Sequence, residues 1–205
     1  MQQTRIKQGT PYYLRFINRF SSIDELAAAT EDEVFSLWEG LGYYNRARNM
    51  IKTAKFLVEQ KDGRFPETHA ELLKLPGIGP YTAAAISSFA FNLPNAVVDG
   101  NVYRVLSRVF GIYTPIDSTN GKKEFQALAD NLIDRQSPGA YNQALMDFGA
   151  NVCVPKAPKC SQCPFHSTCF ASRKKMTERL PVKEKQLVRK TRFFNFLVFR
   201  FEDYT

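Results

Sequence analysis

The stretch LPGIGPYTAAA, residues 75–85, sets two glycines and two prolines directly ahead of a run suited to helix. Glycine tolerates positive φ and lets another group approach the backbone closely, while a proline preset near φ −65° suits the first turn of a helix. The stretch therefore predicts a helix, a tight turn and a second helix.

Outward from it, the apolar spacing stays helical. Ser22 with Glu25 and Thr30 with Glu33 each fit a capping box, and the second opens EDEVFSLW, in which Val34, Leu37 and Trp38 share one face. Further helices are predicted over 12–20, 44–60, 67–75, 81–91, 102–110, 122–134 and 141–151. No convincing strand precedes residue 192. FFNFLVFRF, residues 193–201, is β-prone, and a single strand without a partner is not a stable unit. The basic polar stretch 173–192 reads as a linker.

The 205 residues are 44% hydrophobic, enough to bury a core. No apolar run is long enough to span a membrane, and the opening Met1-Gln2-Gln3-Thr4 resembles no signal peptide, so a soluble, cytoplasmic protein is expected. A formal charge of +8 and a pI near 9.4 suit a polyanionic partner, because each neutralised phosphate releases condensed counterions. Solubility alone would account for the same charge.

All four cysteines lie in CVPKAPKCSQCPFHSTC, at Cys153, Cys160, Cys163 and Cys169, with six, two and five residues between them. A cytosolic chain does not keep such thiols as disulfides, so the cluster argues for a metal centre. Zinc ribbons present two short Cys-x-x-Cys knuckles, whereas here only Cys160 and Cys163 form one; the spacing favours a four-iron four-sulfur cluster over zinc. Lys156 and Lys159 fall between the first two cysteines, where a loop can offer cations to phosphate.

The order LPGIGPYTA, AVVDGNVYRV and Cys-x6-Cys-x2-Cys-x5-Cys resembles the helix-hairpin-helix DNA glycosylases of the endonuclease III superfamily. Within that superfamily, MQQTR and GLGYYNRARN are similar to the adenine DNA glycosylase branch, which removes adenine mispaired with oxidised guanine. The resemblance runs from Gln2 to about Arg192. It implies an all-α fold of two lobes with DNA crossing the cleft between them: a helical barrel over 1–112 containing the hairpin at 75–91, and an iron–sulfur lobe over 113–172. Residues 193–205 would begin a further, shortened domain. The implied partner is double-stranded DNA carrying adenine opposite 8-oxoguanine or guanine, met by a monomer in the nucleoid.

Residue roles follow from the same resemblance. Gly77 and Gly79 would let backbone N–H groups and a helix N-terminus face a DNA phosphate, fixing register without reading sequence. Tyr81 stands where the strand-cleaving branch has a lysine, and a phenol cannot form a Schiff base, so the chemistry implied is monofunctional with water as nucleophile. Asp99 corresponds to the catalytic aspartate that stabilises positive charge on the deoxyribose, with Asn101 orienting it. Asp99 also fits the N-cap of the next helix, and both roles can hold together. Gln3 and Thr4 would address the strand near the mispair, and Tyr43 would wedge into the stack beside the oxidised guanine as the adenine turns out. Arg46 and Arg48 contact phosphate or face solvent.

The family places a glutamate three residues before the position of Met1 as the acid that protonates adenine, which leads us to expect a chain shortened at both ends, binding DNA but releasing adenine slowly. Two rival readings share the motifs. An endonuclease III-like lyase for oxidised pyrimidines would want lysine at 81, and a non-catalytic iron–sulfur DNA-binding module would excise nothing.

Overall fold

The structure, a computed structural model, describes Thr4, residues 6–184, Phe193 and Phe196. Among these residues the secondary structure is entirely helical. The strand expected over 193–201 lies outside the described residues except for Phe193 and Phe196.

The helices are α1 (Ile6–Arg19), α2 (Ile23–Ala28), α3 (Glu31–Trp38), α4 (Asn45–Lys61), α5 (His69–Leu72), α6 (Pro80–Phe91), α7 (Gly100–Phe110), α8 (Thr119–Leu132), α9 (Pro138–Asn151) and α10 (Phe170–Arg173). A single 3₁₀ turn, Cys160–Gln162, lies in the cysteine loop. Local chemistry sets most of the boundaries. Ser22 and Thr30 accept from the amides of Glu25 and Glu33, both at 3.2 Å, as expected of their caps. The return arm of each box differs from expectation. Glu25 reaches one residue further back, to the amide of Ser21 at 2.8 Å, and the Glu33 carboxylate pairs with Arg19.

Several boundaries depart from the reading of periodicity: α8 and α9 each begin three residues early, and two differences are larger. The helix expected over 67–75 is only one turn, because Pro76 lacks an amide to continue it; the chain proceeds in three-residue turns, with Lys74 bonded to Glu71 and Leu75 to Leu72. The helix expected from residue 12 begins at Ile6 and carries Pro11 inside it.

Four apolar clusters hold the helices together. Phe20, Ala29, Val34, Ala47 and Ile51 join α3 and α4 with the ends of α1 and α2. Leu57, Leu72, Leu75 and Ala83, with Ile78 packed against them, seat the hairpin on α4. Ala96, Val102, Leu106, Phe125, Ala129 and Ile133 bind α7 to α8, and the last cluster places Cys169, Ala171 and Leu180 beneath Val109. Helix α7, on the barrel side of the expected boundary at 112, is thus cemented to α8 and α10 beyond it.

The stretch 173–192, expected as a linker, is packed against the body as far as Glu184. Leu180 is 1% exposed, its carbonyl accepts from Arg108, and Val182 and Glu184 bond to Ile116 and Asp117. Polar composition concealed this because the anchors are one buried leucine and a set of backbone groups.

Candidate functional site

The hairpin between α5 and α6 is built as its sequence implies, with different work for its two glycines. Gly77 has φ +74°, and a Cβ there would lie 2.5 Å from Asn49 Nδ2, so the fold itself demands glycine. Gly79 caps α6 with φ −90°, and a Cβ there would meet nothing within 4 Å. Space beside the start of α6 is therefore open. Pro80 occupies the first helical position, and Thr53 Oγ1 donates to Pro76 O at 3.0 Å, tying the turn to α4.

Asp99 is the N-cap of α7. Its Oδ1 accepts from the amides of Asn101 and Val102, both at 2.8 Å, and its Oδ2 accepts from Asn101 Nδ2 at 2.9 Å. The carboxylate is therefore fixed by three donors at a helix N-terminus, where negative charge is favoured. Tyr81 on α6 belongs to the same neighbourhood: burial, and after it the charge of Asp99, push its phenol above the ordinary tyrosine range. Its hydroxyl points toward Met146 Sδ, 4.0 Å away.

Sequence reading missed the supports behind Asp99. Asn101 Oδ1 accepts from Arg104 Nη2 at 2.8 Å, and the same guanidinium donates to Gly149 O at 2.7 Å and, through Nε, to Cys153 O at 2.7 Å. Four residues on, Arg108 is 2% exposed and donates to the carbonyls of Val154, Pro155 and Leu180, with Nη1 3.5 Å from Cys153 Sγ. The strand-like approach to Asp99 is held by Asn142, which accepts from Val97 N and donates to Ser88 Oγ and Asn95 O, all at 3.0 Å. Nothing in the spacing of α7 marks its arginines as buried, because their partners lie some 45 residues away in sequence.

The four cysteines line one cavity, together with Arg108, Lys159 and His166. All are free thiols, and Cys169 donates to Arg108 O at 3.2 Å. Burial, then the charges of Cys153, Cys169 and Cys163, push the Cys160 thiol up, with Arg108 opposing. Among the described residues, no three His, Cys, Asp or Glu side chains stand close enough together to hold one metal ion as they are. Four cysteine sulfurs spread around one cavity, with the buried Arg108 guanidinium beside them, suit a multinuclear anionic thiolate cluster better than a single ion. Lys156 and Lys159 are exposed on the loop that joins the first two cysteines.

Tyr43 projects into solvent, 68% exposed, from a left-handed backbone at φ +52°. Thr4 is half-buried and accepts from Arg46 Nη1 at 3.0 Å. Gln3 lies outside the described residues. Arg46 is half-buried against the Tyr43 loop, while Arg48 is exposed, with Nε 3.9 Å from Glu31.

The profile of the HhH-GPD superfamily of base excision DNA repair proteins matches residues 1–133. The chain belongs to this family. Its similarity to solved structures covers more of the chain than the matched residues: it superposes on a thermostable thymine-DNA glycosylase with a TM-score of 0.78 at 29% identity, covering 84% of this chain and 80% of that one. Endonuclease III in a non-covalent complex with DNA superposes at 0.73 with 26% identity, covering 85% and 80%. In sequence, the chain is 41% identical over 206 residues to the adenine DNA glycosylase of Buchnera aphidicola subsp. Baizongia pistaciae, across 100% of this chain and 58% of that protein. It is 44% identical over 182 residues to the human adenine DNA glycosylase, across 88% of this chain and 33% of the relative. The HhH-GPD chain thus spans little more than half the length of the first of these, and a third of the second. Among the described residues, no helix is long and apolar enough to cross a membrane.

Proposed function

We propose that this chain carries the sugar-cation-stabilising carboxylate and the DNA-contacting elements of a monofunctional adenine DNA glycosylase, which hydrolyses the N-glycosidic bond of adenine opposite 8-oxoguanine or guanine in duplex DNA. The observation that supports the reading is Asp99, fixed by three hydrogen bonds at the start of α7 and near enough to Tyr81 for its charge to act on the phenol, at the position where the resemblance puts a lyase's lysine. Breaking the bond builds positive charge on the deoxyribose, and a carboxylate held rigidly nearby stabilises that charge without reorganising. Tyr81, within reach of the Asp99 charge, is a phenol and cannot attack as an amine.

Around this centre, the open space at Gly79 suits a phosphate approaching the amides of α6, and Lys156 and Lys159 add cations from the cysteine loop. Thr4 and Tyr43, both in contact with Arg46, would address the strand near the mispair and wedge beside the oxidised guanine respectively. Cys153, Cys160, Cys163 and Cys169 would hold a four-iron four-sulfur cluster, whose contribution is to fix the loop bearing these lysines. In this arrangement DNA lies between a barrel lobe and a cluster lobe of one protomer.

The test is base release from a duplex carrying adenine opposite 8-oxoguanine, run beside borohydride trapping. Adenine released without a trapped adduct is expected. A trapped adduct, or release of oxidised pyrimidines instead, would move the chain to the lyase branch, and binding without any release, from this chain or from one extended to its relatives' length, would leave only a DNA-binding module.

A further inference from the structure

Tyr43 poses a physical difficulty if it is to enter a base stack. An exposed aromatic ring on a loop samples several rotamers, and ordering it on binding costs affinity. The loop behind it is unusually constrained. Gly40, Gly42 and Tyr43 all have positive φ, and the carbonyl of Gly42 accepts both from Trp38 Nε1 at 3.0 Å and from Arg46 Nη2 at 3.3 Å. The amide of Arg46 in turn donates to Tyr43 O at 2.9 Å. The Arg46 guanidinium lies 5.3 Å from the centroid of the Trp38 ring and 5.5 Å from that of Tyr43. Its remaining terminal nitrogen, Nη1, donates to Thr4.

We infer that Arg46 is a positioning residue that holds Tyr43 in its inserting orientation, with Trp38 as the floor and Thr4 as the lateral tether, so that the wedge meets the mispair already ordered. A planar guanidinium suits this role because it can face two rings while its edge donates to two oxygens; an ammonium offers charge but no plane. The arrangement also joins the two groups expected to flank the mispair, Thr4 and Tyr43, through one side chain. The inference rests on the wedge reading of Tyr43 and adds to it the device that preorganises the ring.

The experiment has two arms. In the free protein, the Arg46 Nε–H resonance should be displaced by the ring currents of Trp38 and Tyr43 and should move back part of the way in Tyr43→Ala. Binding is then measured by fluorescence anisotropy on a matched duplex and on one with adenine opposite 8-oxoguanine, over a range of salt. Arg46→Lys should lower the preference for the mispair roughly 5- to 150-fold, as loss of one base–aromatic stack would. It should leave the salt slope unchanged, and in a Tyr43→Ala background it should add nothing. An undisplaced Arg46 resonance in the wild-type protein would overturn the geometry without any variant. Loss of preference in Tyr43→Ala but full preference in Arg46→Lys would overturn the positioning role and leave the wedge standing. Equal weakening on both duplexes in Arg46→Gln, with the salt slope reduced by about one, would make Arg46 a phosphate contact instead. Full preference in Tyr43→Ala would remove the wedge, and the role inferred for Arg46 with it.

Discussion

Arg104 Nη2 stands 2.8 Å from Asn101 Oδ1, and that bond decides which way the Asn101 amide faces. With its oxygen bound to the guanidinium, the amide must present Nδ2 to Asp99, which accepts from it at 2.9 Å. The other end of Arg104 holds the carbonyl of Cys153. One buried side chain therefore orients the proposed catalytic carboxylate and anchors the start of the cysteine loop. Arg104→Met should take the guanidinium donor from Gly149 O and leave Cys153 O with only the long 3.5 Å bond from Arg108 Nη1, at about 1–3 kcal/mol for a buried carbonyl left unsatisfied. A lowered Tm is expected together with reduced base release, and the release should remain low at temperatures where circular dichroism shows the variant folded. Full activity in the folded variant would show that Asn101 needs no such restraint.

The cysteine loop makes a separate prediction. Four thiolates around one cavity should yield a brown protein with broad visible absorption if they hold iron and sulfur, whereas zinc, with its filled d shell, is colourless. Cys160→Ser should bleach the protein and weaken DNA binding together, since the loop bearing Lys156 and Lys159 loses its anchor. Stoichiometric zinc in a colourless protein would reject the cluster, and unchanged DNA affinity in the bleached variant would separate the cysteines from recognition.

The two hairpin glycines should fail in different ways. Gly77→Val forces a β-branched residue to positive φ and into Asn49, so the loss should appear as stability, with Tm falling before any DNA is added. Gly79→Val meets open space at an ordinary φ, so the melting curve should hardly move. What should change is DNA affinity, by about 1.5–3 kcal/mol if the new side chain displaces one phosphate hydrogen bond, and equally for matched and mispaired duplexes. A loss confined to one mispair would make this turn a reader of bases.

How much of this could be read in advance depends on the range of each interaction. The helices, the caps at Ser22 and Thr30 and the turn at 76–79 follow from residues within a few positions of one another, so the sequence already displays them. Asp99 was legible as an N-cap, and its proposed catalytic role is what the resemblance adds to that. Arg104 and Arg108 were not, because an i, i+4 arginine pair ordinarily reads as a solvated face, and only the return of residues 149–155 against α7 buries them. The packing of 173–184 escaped for the same reason: Leu180 is one apolar residue in a basic stretch, and its partner is a main-chain-seeking guanidinium 72 residues earlier.

The sharpest prediction separates the two roles of Asp99. Asparagine caps helices about as well as aspartate, so Asp99→Asn should preserve α7 and shift stability by less than about 0.5 kcal/mol from the cap alone. Its Oδ1 can still accept from the amides of Asn101 and Val102, but its Nδ2 would now oppose Asn101 Nδ2, so the bond at 2.9 Å is lost. The negative charge beside the developing sugar cation disappears as well, and base release should fall by about 10²–10³-fold or more. Asp99→Ala removes cap and charge together and should add a stability loss of about 1 kcal/mol to the same catalytic defect. Release assays and thermal melts on the two variants side by side give the answer. If Asp99→Asn releases adenine at the parent rate, Asp99 is a cap alone, and the group that stabilises the sugar cation lies elsewhere in the cleft.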